Sequence, residues 1–401
     1  MLDGETLRAE ADALLPEMVE LRRAIHAEPE IGLDNPKTTA KIRAALAGLP
    51  LELREGPSTS GLVAILRGSD NGRTVLLRGD MDALPMSEET GLAYSSQVSG
   101  AMHACGHDSH VAMLVGAARL LSARRDQLAG TVMFMFQPGE EGWHGARHML
   151  DDGLLDPLPD AAFALHIMPN GPHGVFCGKP GPLLASADKL SITVTGRGGH
   201  ASMPQDALDP IPIACEIVMA IQSFVTRRVS VFDPAVVTIA KIVAGTTDNV
   251  IPETAFLHGT IRTLSAHRRV AVQDGLRKLA MGIAEAHGAT ADVSFEQGFP
   301  VTVCDGRAVA FGQQVVEDLY GPANWISLDA PIMGAEDFAY VLEKVPGAMF
   351  FLGAAEEGTD WRQCCGLHSN HMVLDESVMV RGAALHAAIA ERFLAEGFAG
   401  Q

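Results

Sequence analysis

The stretch Met102-His103-Ala104-Cys105-Gly106-His107-Asp108-Ser109-His110 gathers a cysteine, histidines and an aspartate into one short loop. Thiolate and imidazole together are donors for zinc and its neighbours in the first transition row, so the loop reads as part of a metal site. Taken alone, it also fits a buried structural cysteine beside solvated histidines, because cysteine is commonly buried for packing. Other donor-bearing stretches weigh against that second reading. Glu140 and Glu141 follow an apolar run, His166 ends another, and His368 lies in a second donor-rich loop from Cys365 to His371.

If Cys105, His107, Glu141, His166 and His368 share one site, the set exceeds what one tetrahedral zinc takes while keeping a position open for water. A pair of ions about 3.5 to 4 Å apart, with one ligand bridging, uses them all. Soft sulfur, imidazole and carboxylate in one set suit zinc, cobalt, nickel or manganese better than magnesium or calcium. Adjacent Glu140 and Glu141 leaving a strand point in opposite directions, so only one faces a given ion. With Glu141 on metal, Glu140 is left to take a proton from a water as general base and pass it to a leaving amine. The Asp82 carboxylate is suited to accept the remaining N–H of a ligating histidine; capping the next turn is the simpler use for it or for Asp80. His103, His110, His144, His148 and His371 read as supporting or solvent-facing side chains.

These residues need elements to hold them. Val111 to Leu121 is apolar on nearly all sides and predicts a buried helix capped by Asp108 or Ser109, whose positive end favours a thiolate at Cys105. Leu7 to Ala27 predicts one amphipathic helix, and Thr38 to Ala47 a second. Short apolar runs at 61–66, 74–77, 131–136 and 161–165 read as buried strands, with a helix over 145–150. Three of these strands finish on Asp80 and Asp82, on Glu140 and Glu141, and on His166. Ligands bind beyond the carboxyl ends of strands in open α/β sheets, so these ends are expected to converge.

At about Ala187 the texture changes. Strands at 190–195, 235–244, 255–261 and 291–295 alternate with helices at 209–227 and 264–287, the βαββαβ order of a ferredoxin-like unit. From 303 onward helix and strand alternate again: a helix at 309–320, another opening at 333–338, a strand at 348–353 and a last helix at 375–394. The expected fold is α/β. A catalytic domain (1–186 and 303–401), with a mostly parallel central sheet flanked by helices, receives an inserted ferredoxin-like domain at 187–302.

Composition narrows the function classes. The chain has 401 residues, 47% of them hydrophobic, which predicts more than one core. Its formal charge of −19, without runs of lysine or arginine, argues against nucleic acid or anionic lipid as a partner. Glu216 interrupts the longest apolar stretch, near 211–225, short of the roughly 20 residues a membrane span needs. Residues 1–10 are acidic and lack the order of a secretory signal, and the six scattered cysteines indicate no disulfide framework. A cytoplasmic enzyme is the expectation.

Nearly end to end, the chain resembles the hippurate hydrolase and indole-acetyl-amino-acid hydrolase branch of the aminoacylase and carboxypeptidase superfamily of metal-dependent amidohydrolases. The resemblance rests on Arg22-Arg23 with His26 and Pro29-Glu30, Arg78 to Pro85, Met102 to Asp108, Gln137-Pro138 with Glu140-Glu141-Gly142, and Leu165-His166. It extends through Gly196 to His200 with Pro204, Asn249 to Pro252, and Gly334 to Phe338. It implies two divalent ions held by Cys105, His107, Glu141, His166 and His368, with Cys105 bridging and Glu140 as catalytic base. It also implies an inserted domain serving as lid and homodimer interface, and a lid histidine, His200, that reaches a neighbouring subunit's site to stabilise the developing oxyanion. Asn249 and Arg262 are candidates for holding a substrate carboxylate, a task suited to a bidentate arginine; a salt bridge on the lid surface is the other use for Arg262. Gly142-Trp143-His144-Gly145 carries bulk where relatives often carry more glycine, which bears on substrate preference. The implied reaction is hydrolysis of an N-acyl amino acid, with a dipeptidase as the nearest alternative and an inactive metal-binding dimer as the non-enzymatic one.

Overall fold

The computed structural model describes residues 4–69 and 72–398, so residues 1–3 of the N-terminal stretch lie outside the described residues. The chain forms two units. One comprises Met1–Leu183, Val303–Ala330 and Asp337–Gln401, and the other Leu184–Thr302 and Pro331–Glu336.

The first unit is built on a sheet whose β1 (Leu51–Glu55), β2 (Leu62–Arg67), β3 (Arg73–Asp80), β4 (Gly130–Gln137), β5 (Ala161–Met168) and β6 (Phe176–Gly178) are joined by Trp325–Ser327 and Gly347–Gly353. Its order is β1, β2, β4, β3, β5, Gly347–Gly353, β6, Trp325–Ser327. The four strands from β4 to Gly347–Gly353 are mutually parallel, and the strands paired to either side of them, β2 and β6, run antiparallel. The mostly parallel sheet expected from the sequence is therefore present. Its central strands are buried along nearly their whole length and mainly apolar, with Arg78, Asp80, Gln137 and His166 as buried polar exceptions toward their carboxyl ends.

Helices α1 (Gly4–Ala13) and α2 (Leu15–His26) replace the single helix predicted over 7–27. Pro16 explains the break: it lacks an N–H for the helical ladder, and its ring is accepted only in a first turn. Helix α3 spans Pro36–Ala45, and α4 spans His107–Ser122. The α4 helix starts four residues before the predicted Val111, and its N-cap is Gly106 at φ 83°, not Asp108 or Ser109. It packs on β3 and β5 and against α2 and the C-terminal helix Met379–Glu396, which buries Met113 and Leu114 completely. Truncating either to alanine costs about 2–5 kcal/mol. Gly79 permits that close approach, since a Cβ there would lie 2.9 Å from the His110 carbonyl oxygen. Helix α5 covers Gly145–Asp151. The helix predicted to open at Met333 is reduced to one turn, Ala339–Leu342.

The second unit is an antiparallel four-stranded sheet in the order Ala235–Ala244, Thr254–Thr263, Asp188–Thr195, Thr290–Gln297. With helices Pro210–Arg228 and Ala266–Ala286, it has the expected ferredoxin-like βαββαβ arrangement. Asp209 caps the first helix by accepting the Ile211 N–H, and Ser265 caps the second by accepting the Arg268 N–H. Leu190, Ile192 and Val194 point from the central strand into a core with Ile213, Ile217, Leu257 and Leu276. Pro331–Glu336 belongs here because the Ala185 N–H donates to the carbonyls of Ile332 and Gly334.

Candidate active site

The carboxyl ends of β3, β4 and β5 lie side by side, with Asp80 opposite Gln137 in the register. The turn after β4 carries Glu140 and Glu141, β5 carries His166, and the loop before α4 carries Cys105. Cys105 Sγ lies 3.4 Å from His166 Nε2. Cys105, His107 and His166 bring one donor atom each within 4.8 Å of one another, and so do Cys105, Glu141 and His368, and His107, Glu140 and Glu141. Donors from four distant stretches are thus brought together, and Cys105 is common to two of the groups.

Each imidazole is aimed by a bond from its other nitrogen. His107 Nδ1 donates to the Asp82 carbonyl at 2.9 Å, and His166 Nδ1 donates to the Ile167 carbonyl at 2.7 Å. A carbonyl only accepts, so both rings carry a proton on Nδ1; Nε2 of His166 faces Cys105, while Nε2 of His107 stands 3.5 Å from Asp80 Oδ2. His368 is held at φ 63°, with its N–H donating to the Ala104 carbonyl at 2.7 Å. Positive φ is uncommon for a residue with a side chain and clusters at functional positions. Gly106 separates Cys105 from His107 in the left-handed region, and a Cβ there would fall 2.5 Å from Ile167 Cδ1.

Asp82 has a different place from the one expected. Its carboxylate accepts the Glu140 N–H through Oδ1 at 3.0 Å and the Glu141 N–H through Oδ2 at 3.1 Å, and it stands 3.5 Å from His107 Nδ1. The bond to the histidine comes from the Asp82 backbone instead.

The sequence pattern of "Peptidase family M20/M25/M40" matches residues 76–392. The chain belongs to this family. Among relatives, it is 38% identical to thermostable carboxypeptidase 1 of Saccharolobus solfataricus over 94% of this chain and 95% of that one. It is 38% identical to an N-acetylcysteine deacetylase of Bacillus subtilis (93% and 96%) and 35% identical to hippurate hydrolase of Campylobacter jejuni (95% and 99%). The crystal structure of the Bacillus subtilis YXEP protein, a dinuclear metal binding peptidase from the M20 family, superposes with a TM-score of 0.83 at 34% identity, covering 96% of this chain and 99% of that one. This M20 chain is a metal-dependent hydrolase with amidohydrolase relatives, as the resemblance implied.

The electrostatics of this M20 site fit cations. His107 Nε2 and Glu141 Oε1 are buried without a hydrogen-bond partner, although His368 Nε2 stands 3.3 Å from that Glu141 oxygen. Orphaned buried donors and acceptors are costly, and an ion between them removes the cost. Burial acts to lower the His107 pKa, but Asp80 and Cys105 overcome it and raise the ring well above 6.5. Hydrogen bonding to Cys105 and Glu141 pushes His368 up to about 10. Burial pushes the Cys105 thiol up, and His107 offsets this only in part. A cation bound at the sulfur would act against that burial and favour the thiolate.

Sequence reasoning read His110 only as supporting or solvent-facing and missed the buried layer around it beneath the donors. His110 is fully buried and lies between Asp80 and β5, while Arg78, Gln137 and Asp337 form a buried ion-pair cluster beside it. The signal was available, since His107 and His110 stand three apart on one helix and therefore share a face. His103 is buried with neither ring nitrogen partnered, His144 Nδ1 lies 2.9 Å from the Tyr340 hydroxyl, and His371 is exposed and donates to the Glu89 carbonyl.

His200, Asn249 and Arg262 belong to the second unit. His200 is exposed on a short two-residue strand, paired antiparallel with Val250, and its Nδ1 accepts from the Ser202 N–H. Asn249 precedes that partner strand, and its carbonyl accepts the Ala201 N–H. Arg262 is half-buried on Thr254–Thr263, opposite Val236. No helix among the described residues is long and apolar enough to cross a membrane.

Proposed function

We propose that this chain hydrolyses the amide of an N-acyl amino acid of the hippurate, N-acetyl or indole-acetyl type, releasing a carboxylate and the free amino acid. Cys105, His107, Glu141, His166 and His368 would hold two divalent ions of the zinc, manganese, nickel or cobalt class. The observation that carries this reading is that Cys105 belongs to two donor groups at once, while Glu140 stands with His107 and Glu141 in a third. When bound, such ions polarise the amide carbonyl and make water acidic enough to be deprotonated near neutral pH.

The remaining work falls to side chains. Glu140 accepts a proton from the attacking water and delivers it to the departing nitrogen. Asp82 holds the two glutamates in fixed relation through their amides, so that one serves as base while its neighbour stays on metal. His200, from a second copy of the chain, donates to the developing oxyanion, and Asn249 and Arg262 receive the substrate carboxylate. A homodimer through the second unit is supported by its edge strand Ala235–Ala244. That strand has one sheet neighbour and exposes Val236, Ile242 and Val243, and the adjacent helix exposes Met219. The described cysteines are all free, in keeping with a cytoplasmic enzyme.

A panel of N-acetyl, N-benzoyl and indole-acetyl amino acids with dipeptides, assayed on protein of known metal content, tests the reading. Metal-dependent release of amino acid from an N-acyl substrate supports it. Turnover confined to dipeptides, favouring the activity named for the carboxypeptidase relative, or no turnover by metal-replete protein, rejects it.

A further inference from the structure

The unexplained feature nearest the donors is the buried side of His110. Its Nδ1 lies 2.5 Å from Asp80 Oδ1, and its Nε2 accepts the backbone N–H of Ile167 at 2.9 Å. Both nitrogens are in use. Asp80 can only accept from the ring, and an amide N–H can only donate to it, so the proton sits on Nδ1 and the lone pair on Nε2. Ile167 is in turn the residue whose carbonyl takes the His166 Nδ1–H at 2.7 Å.

The sheet explains why this arrangement exists. The pairing of β3 with β5 ends at Arg78 opposite Ala164, so that side of β5 has no strand partner at Ile167. An N–H there, in a core with Ile167 fully buried, would be orphaned at a cost of about 1–3 kcal/mol. His110 supplies the missing acceptor from the first turn of α4. Asp80 is held in its own place by Arg78 Nη1 at 2.5 Å. Burial acts to raise the Asp80 pKa, and Arg78 with the neighbouring histidines overcomes it and keeps the carboxyl ionised.

We propose that His110 is a positioning residue for the metal centre: as the acceptor that replaces a missing strand, it fixes Ile167, whose carbonyl then sets the direction in which His166 presents Nε2. This rests on the reading of His166 as a metal ligand. Asp80, His107 and His110 also bring donors within 4.8 Å of one another. That trio serves as a hydrogen-bonding support and holds no ion, because Asp80 is engaged by Arg78 and His110, and neither nitrogen of His110 is spare.

The test compares His110→Asn with His110→Gln. Asparagine keeps a donor for Asp80 and loses the acceptor at the position of Nε2, whereas glutamine reaches far enough to offer an acceptor to the Ile167 N–H. Apo protein is titrated with zinc by calorimetry, and the cobalt-loaded protein is examined by its d–d absorption, with circular dichroism as a control for folding. His110→Asn is expected to weaken zinc binding by about tenfold or more in one of the two steps and to shift the cobalt spectrum, and His110→Gln to recover most of both. Wild-type affinity and spectrum in a folded asparagine variant overturn the proposal, as does a glutamine variant no better than asparagine. If asparagine prevents folding, His110→Phe replaces it in the same comparison. Wild-type protein that binds no zinc would instead remove the reading of the site itself, so the two failures are distinct.

Discussion

Asp82 Oδ1 and the Glu140 backbone N–H lie 3.0 Å apart, which ties the proposed base to the end of β3 by a bond that involves no part of the base's own carboxylate. The other Asp82 oxygen takes the Glu141 N–H, so one buried side chain sets the spacing of the two glutamates. Asp82→Ala should remove two charge-assisted bonds, each worth about 1.5–3 kcal/mol, and free the turn after β4. Urea unfolding and kcat are both expected to fall; unchanged kcat in a destabilised protein would show that the tie serves the fold alone.

Glu140→Gln keeps the shape and the backbone bond and removes the proton acceptor. Turnover should drop by about a hundred- to ten-thousandfold while the ion content measured by mass spectrometry stays near that of the wild type. Parallel loss of metal and turnover would place Glu140 among the ligands.

Cys105 belongs to two donor groups, so Cys105→Ala should lower the content of both ions and not of one alone. Metal analysis after exhaustive dialysis gives the answer, and full stoichiometry with full activity would exclude sulfur from the centre.

Complementation between variants addresses His200, which is exposed on the second unit. Mixing His200→Ala protein with Glu140→Gln protein should restore hydrolysis through heterodimers in which one site has both side chains. Confirmed heterodimers without recovery would count against a role across subunits.

Stability against pH has two limbs of opposite origin. Burial drives His386 down to about 3, below its ordinary 6.5, so between these values the unfolded chain takes up a proton that the folded chain refuses. Stability from this group is present above pH 6.5 and is lost as the pH falls toward 3. For His26, burial opposes the charge, but Asp108 and Glu88 outweigh it and raise the ring to about 9. Its contribution is complete below 6.5 and is lost as the pH rises through 9. Urea midpoints across pH 4–9 should show His386→Leu reducing, not abolishing, the acid limb, because buried His103 is also pushed down to about 3, and His26→Gln reducing the alkaline limb.

The donors and the central sheet were legible in the sequence because both follow from composition over short windows. Apolar runs such as Thr131 to Phe136 are strands, and clustered cysteine, histidine and glutamate at their ends are ligand types. Boundaries were less legible. The α4 helix begins at His107 because Gly106 turns the chain through φ 83°, and a local pattern does not distinguish that cap from Asp108 or Ser109. The edge strand β1, paired to β2 through residues such as Leu53 opposite Ala64, is short and half-exposed and gives a weak pattern. Least legible were the long-range supports, among them Asp80 to His110 and Asp82 to Glu140, since a carboxylate's partner is chosen by the tertiary fold.

Gly106 contributes no donor, yet it touches the same isoleucine that holds His166. A single methyl group added there would fall 2.5 Å from Ile167 Cδ1 and strain a backbone held at φ 83°, next to the residue whose carbonyl takes the His166 N–H. Damage to this enzyme can therefore begin at a position with no chemistry of its own, and loss of metal from a Gly106→Ala chain would be a mechanical injury.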